Sequence, residues 1–340
     1  MRRGNVRAGL TAIILSASFI ALPAPPAEGE HRAWQGTQQE QQKVPEAQNP
    51  IKVQVSLVNL FVTVRDKSHA IVPNLTKDDF KVYEDGREQK VAFFSKEVNM
   101  PITLGLLIDT SGSEQNMLGG EQDAASRFVH EVLRKRDEAM VMSFDLDADL
   151  LADFTEDTSI LERAIRKTVI NAASGGGGTP TTIPTGNIGT VFYDAVYLAC
   201  HDQLRDQAGR KAVVVMTDAE DNGSKLKVQD AIEAAQRADT VIHVILVVDP
   251  NYGGLFGSYG GSGVAKKMAD ETGGRVIEVR SERNLEKAFD QISEELRLQY
   301  VIGYYPTNTA HDASFRKIKV ETTKPDTKAL TRRGYYAPKD

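Results

Sequence analysis

Along this chain the spacing of apolar positions runs from period two to strand–helix alternation and back again. Val53, Val55 and Leu57 alternate with polar residues, and Leu60 to Val64 continue an extended pattern. Leu75 to Phe80 reads as a turn or short helical piece. Lys81-Val-Tyr-Glu-Asp85-Gly86 then reads as a strand entering an Asp-Gly hairpin turn, followed by Val91 to Phe94. From Ile102 the pattern changes. Apolar runs at 102–108, 139–144, 212–216, 241–248 and 275–279 predict strands. Ala125, Phe128, Val129, Val132 and Leu133, and later Leu285, Ala288, Phe289 and Ile292, recur at helical spacing. Strands apolar on both faces and alternating with helices predict a doubly wound, mostly parallel sheet covered on both sides. After the last helix, 299–305 and 315–321 alternate again and 332–336 closes the chain.

The N-terminal strands are too few to close a sandwich alone. The expected architecture is therefore an α/β domain inserted into a small β-sandwich that the C-terminal strands complete. The boundaries read as an export signal over 1–24, a linker over 25–50, an N-terminal β module over 51–98, the α/β domain over 100–298 and completing strands over 299–340.

Composition narrows the function classes. The 340 residues are 41% hydrophobic and 26% charged, with a formal net charge of −6. No basic stripe interleaved with aromatics is present, so nucleic acid is not expected as a partner. Cys200 is the single cysteine and forms no intramolecular disulfide. Arg2, Arg3 and Arg7 precede an uncharged apolar run from Leu10 to Leu22, and small residues follow. This reads as a cleaved export signal or, alternatively, an uncleaved anchor, which would be the one link to a membrane. Either way the folded part is expected outside the cytoplasm, periplasmic or extracellular. The 28–50 stretch is rich in Gln, Glu and Pro and reads as a tether.

The chemistry concentrates where the 102–108 strand ends. Asp109-Thr-Ser111-Gly-Ser113 offers one carboxylate and two hydroxyls, hard oxygen ligands of low total charge. In an open α/β sheet such strand ends line the binding crevice. Gly189-Thr190 precedes a helical pattern, where a hydroxyl can bind a cation and cap the helix. The 212–216 strand runs into Thr217-Asp218 and adds a second carboxylate.

Together these segments resemble the metal-ion-dependent adhesion site of von Willebrand factor type A (VWA) domains, over roughly residues 100–298. The flanking Asp78-Asp79-Phe80, Glu84-Asp85-Gly86 and Tyr300-Val-Ile-Gly303-Tyr304-Tyr305-Pro306 are similar to a bacterial group of VWFA-related proteins. The resemblance implies that Asp109, Ser111, Ser113, Thr190 and Asp218 hold a divalent cation, Mg²⁺ first, with Mn²⁺ or Ca²⁺ as alternatives. It leaves a coordination position for a Glu or Asp of a protein partner. Two departures stand out. Ala219 follows the last carboxylate where Gly is usual, and a swollen Gly-rich loop makes Thr179 the alternative to Thr190.

Other features read as structural. Asp145-Leu-Asp147-Ala-Asp149 imitates a calcium loop, but Leu150 stands where Gly is needed, so a β-hairpin is expected. Asp194 reads as a helix-dipole partner, Glu220 and Asp221 as solvated loop acids, and His243 as a packed core histidine. Residues 251–262 read as a loop on the metal rim, either an insertion or a contact surface. The favoured function is non-catalytic, adhesion-type protein binding; an assembly or maturation accessory of an envelope complex is the alternative. A hydrolase is disfavoured, because Ser111 stands where a phosphatase of this layout needs an acid, and no Gly-x-Ser-x-Gly elbow occurs.

Overall fold

A computed structural model describes residues 57–96, 100–171, 189–248 and 259–339. The expected export signal and tether, the loop carrying Thr179, and 251–258 lie outside the described residues. All described residues fall within one compact unit, Val53–Asp340.

A six-stranded sheet carries the site. It contains β5 (Ile102–Asp109), β6 (Glu138–Phe144), β7 (Ala148–Thr155), β8 (Arg210–Thr217), β9 (Thr240–Val247) and β10 (Val276–Val279), in the order β10-β9-β8-β5-β6-β7. All pairs are parallel except β6 with β7. That antiparallel pair is the hairpin expected around Asp145–Asp149. Every residue of β5 is buried, as a central strand covered on both faces requires. Leu104, Leu106 and Ile108 pack with α1 (Leu118–Val132), α2 (Thr158–Ile165) and α6 (Glu282–Arg297). Leu107, Val213 and Val215 pack on the other face, with α3 (Phe192–Leu198), α4 (Val228–Arg237) and α5 (Tyr259–Thr272). Helix α5 takes in Tyr259 to Ser262, part of the segment expected as loop. Among the described residues no helix is long and apolar enough to cross a membrane.

Two four-stranded antiparallel sheets enclose a second core. One has the order β13 (Thr327–Leu330), β1 (Val58–Asp66), β11 (Tyr300–Tyr304), β4 (Val91–Ser95). The other has β14 (Gly334–Tyr336), β12 (Phe315–Thr322), β2 (Phe80–Glu84), β3 (Arg87–Gln89). Leu60, Val62, Phe80, Val82, Tyr300, Ile302, Tyr304 and Ile318 meet between them. Strands from both ends of the sequence therefore build one β-sandwich around the inserted α/β domain, as the alternation predicts. The Tyr304 and Tyr335 hydroxyls donate to Glu84 Oε2 at 2.7 and 3.0 Å, so the buried glutamate is satisfied.

A buried ionic cluster joins the two parts. Glu295 of α6 pairs with Arg65 of β1 and, at 2.8 Å, with Arg275 ahead of β10. His243 of β9 lies 3.7 Å from Glu295. Burial, aided by the charges of Arg275 and Arg65, lowers the His243 pKa to about 3. Between that value and the ordinary 6.5, the unfolded chain binds a proton that the folded chain refuses. Folding stability is then lost as pH falls below 6.5. We expect wild-type stability to drop relative to His243→Leu by about 2 kcal/mol between roughly pH 7 and pH 5, read from urea unfolding. A pH-independent difference would remove His243 as the cause.

Candidate metal centre

The sheet order reverses direction between β8 and β5, which makes their carboxyl ends the expected ligand crevice. Ile108 pairs with Met216, so Asp109 and Thr217 leave the sheet side by side. Asp109 is fully buried. Its Oδ1 accepts the Ser111 backbone N–H at 2.9 Å, and its Oδ2 accepts the Thr217 hydroxyl at 2.6 Å. The Ser111 and Ser113 hydroxyls lie 3.0 Å apart, and Ser113 also faces the Asp218 carboxylate. Asp218 Oδ1 accepts the Glu220 N–H at 3.0 Å. Asp109, Ser111, Ser113 and Asp218 thus form one hydrogen-bonded group.

Thr190 is tied to the loop that follows β8. Its N–H donates to Asn222 Oδ1 at 2.7 Å, and its carbonyl accepts the N–H groups of Asn222 and Gly223. This close approach needs Gly189, since a Cβ there would lie 2.2 Å from Asn222 Oδ1. Thr190 does not cap the following helix. The N-cap of α3 is Val191, and Asp221 supplies the cap by accepting the Tyr193 N–H at 2.9 Å. Asp221 also accepts the Ser224 hydroxyl at 2.6 Å, so it is a structural anchor rather than a solvated acid. Asp194 accepts the N–H groups of Lys225 and Leu226 at 3.0 and 2.9 Å, direct bonds where only a dipole interaction was expected. Ala219 sits at φ +59° in the left-handed region, the conformation for which Gly is usual. Gly261 of α5 packs on this turn, where any Cβ would meet the Asp218 carbonyl at 2.2 Å.

The sequence reading missed two acids. Glu114 ends the short 3-10 turn Gly112–Glu114 and is 1% exposed; Glu121, in the first turn of α1, is 0% exposed. They stand beside the carboxylates and hydroxyls named from the sequence. Carboxylate oxygens of Asp109, Glu114 and Asp218 lie within 4.8 Å of one another. Burial raises all four acids: Asp109 to about 7, with the Asp218 charge adding to the effect, and Glu121 to about 8. Glu114 is raised well above the usual range, with Glu121, Asp109 and Asp218 as further causes, and Asp218 is raised by burial. One available clue was Glu121's position on the apolar stripe of α1, four residues before Ala125 and seven before Phe128, where a charge is out of pattern.

Residues 104–220 match the family model for the von Willebrand factor type A domain. The chain contains a von Willebrand factor type A domain. No curated protein matches the chain. Among solved structures, this VWA-containing chain is similar to BatB from Bacteroides thetaiotaomicron, at 18% identity and a TM-score of 0.42, covering 57% of this chain and 98% of that one. It is also similar to the vWF domain of the type V pili tip protein Mfa5 from Porphyromonas gingivalis, at 16% identity and a TM-score of 0.43, covering 58% and 96%. A third likeness is proximal thread matrix protein 1 from the mussel byssus, at 12% identity and a TM-score of 0.44, covering 59% and 49%.

Within the VWA domain, the capping role of Asp221 is directly testable. Asp221→Ala should cost about 1 kcal/mol in urea unfolding, the usual cost of a lost cap. An unchanged midpoint would mean that the α3 terminus is held by other groups.

Proposed function

We propose that this chain is an exported, non-catalytic binding module that captures an acidic side chain of a protein partner through a divalent cation. The observation that carries this reading is the convergence of Asp109, Ser111, Ser113 and Asp218 at the strand ends where the sheet order reverses. Asp109, Ser111, Ser113, Thr190 and Asp218 would hold the ion. The donor set fits it: all are hard oxygens, and the two carboxylates lie too close together in a buried setting to be ionised without a neighbouring positive charge. Bound there, the cation supplies an electrophilic position for a carboxylate.

The protein's own groups then have defined tasks. Thr217 and the Ser111 N–H fix the rotamer of Asp109. Asn222 holds the Thr190 backbone, and the Glu220 N–H fixes Asp218. Ser111 and Ser113 present hydroxyls, so the group contains no acid placed at 111 to protonate a leaving group. The N-terminal sequence supports export: Arg2, Arg3 and Arg7 precede the uncharged run Leu10 to Leu22. Sites on rigid strand ends with hydrogen-bonded supports suit reversible capture of a ligand group.

Isothermal titration of MgCl₂ and CaCl₂ into the chain should show binding to one site, weakened more than about a hundredfold in Asp109→Ala. Envelope proteins retained on the immobilised chain should be released by EDTA and should not bind Asp109→Ala. Retention that survives both EDTA and the substitution would refute ion-mediated capture.

A further inference from the structure

Glu114 and Glu121 have no role in the site as proposed, yet they are among the most completely buried acids of the described chain. Their four carboxylate oxygens have no hydrogen-bond partner other than the opposite carboxyl of the pair. The two side chains face each other. A buried acid with no donor is normally avoided, because desolvation of its charge goes uncompensated. Such a pair needs a cation or a proton between its members.

The backbone delivers Glu114 to the ion's expected position. Glu114 N–H donates to the Ser111 carbonyl at 3.1 Å, and the Glu114 carbonyl accepts the Met117 N–H at 2.9 Å. The turn that presents Ser111 and Ser113 therefore also fixes Glu114. One Glu114 oxygen lies within 4.8 Å of oxygens of both Asp109 and Asp218, a separation that a single cation can bridge.

We infer that Glu114 is an internal ligand of the cation, and that the resulting three-carboxylate set selects Ca²⁺ over Mg²⁺. This rests on the metal reading proposed above and deepens it. Mg²⁺ demands octahedral geometry at short distances and is usually held by one or two carboxylates, with waters retained. Ca²⁺ takes six to eight oxygens in flexible geometry, and its affinity grows with the charge of the ligand set. Were Glu114 and each of the five residues proposed above to give one oxygen, six protein oxygens would fill an octahedral ion. The larger ion keeps a position for an outside carboxylate. Glu121 acts as a positioning residue, its side chain set against that of Glu114.

The test is titration of CaCl₂ and of MgCl₂ into the full chain and into Glu114→Gln and Glu121→Gln, with thermal unfolding in parallel. Wild type should bind Ca²⁺ at least tenfold more tightly than Mg²⁺. Glu114→Gln should lose at least tenfold in Ca²⁺ affinity and bring the two ions within about threefold of each other. Its midpoint in EDTA should rise, because a buried acid without a fixed counter-charge is gone, and its stabilisation by Ca²⁺ should shrink; this also shows that the variant is folded. Glu121→Gln keeps the shape of the side chain set against Glu114 and should retain Ca²⁺ affinity within about threefold. A Glu114→Gln chain that binds Ca²⁺ as wild type does, or a wild type that prefers Mg²⁺, overturns the inference and leaves the metal site standing. A wild type that binds neither ion overturns both.

Discussion

Four carboxyl groups in a space shielded from water set the terms for the rest of the α/β domain. Asp109, Glu114, Glu121 and Asp218 are each less than one-tenth exposed. At 4.8 Å and an effective dielectric of about 20, two like charges among Asp109, Glu114 and Asp218 would cost about 3 kcal/mol. Such a cluster persists because its surroundings are rigid and the rest of the domain bears the cost. The central strands β5 and β8 are buried along their length, and both faces of the sheet are packed with helices. The few available donors, the Thr217 hydroxyl and the Ser111 and Glu220 N–H groups, are aimed at Asp109 and Asp218. The glutamates have only each other, which divides the cluster into a supported pair and an unsupported one.

The same sheet that concentrates negative charge at its carboxyl end carries a compensated ionic cluster beside the sandwich. Arg65, Arg275 and Glu295 form a buried group that links β1 to α6 and to the approach to β10. Buried ion pairs contribute little net stability, but they fix geometry, since one partner alone is strongly unfavourable. Helix α6 packs against α1 through the Phe289–Phe128 ring pair, with centroids 4.6 Å apart. Helix α1 begins beside the carboxyl cluster and carries Glu121. The sandwich is therefore connected to the candidate site through two packed helices, and its orientation is set by charge complementarity as well as by the chain crossings.

Most of the fold was legible because period alone distinguishes two-sided central strands from half-buried sandwich strands. β5, β8 and β9 read as continuous apolar runs, and β2, β12 and the Asp85-Gly86 turn as alternation with a turn signal. The elements missed were those with weak period. β13 alternates over four residues only, and α2 and α4 are short. The candidate hydroxyls and carboxylates could be named from Asp-x-Ser-x-Ser and Thr-Asp because those residues are local to strand ends. The supporting groups could not. Asp221 capping α3 and Asn222 holding Thr190 depend on how two loops meet in space, and nothing in either segment's spacing announces the other. Glu114 is a subtler case. A glutamate after two serines looks solvated, and only the 3-10 turn, which folds the chain back beneath Ser111, directs it inward.

With the proposed cation in place, that inward turn would change what the site does to it. A set of hydroxyls with two carboxylates leaves a divalent ion with little of its charge offset, and an incoming acid is drawn mainly by electrostatics. A third carboxylate removes that excess. Attraction of a partner's carboxylate then weakens, while retention of the ion strengthens, because ligand charge raises affinity for Ca²⁺. The site so constituted behaves as a persistent orienting group more than as a charge sink. Partner selection must then come from shape and hydrogen bonding around the ion, where specificity is generally set. The close packing of Gly261 on the Asp218–Ala219 turn and of Gly189 on Asn222 leaves no room for side chains at those contacts. Those two contacts are accordingly built to hold their form, so that the variable chemistry falls to whatever stands outside them.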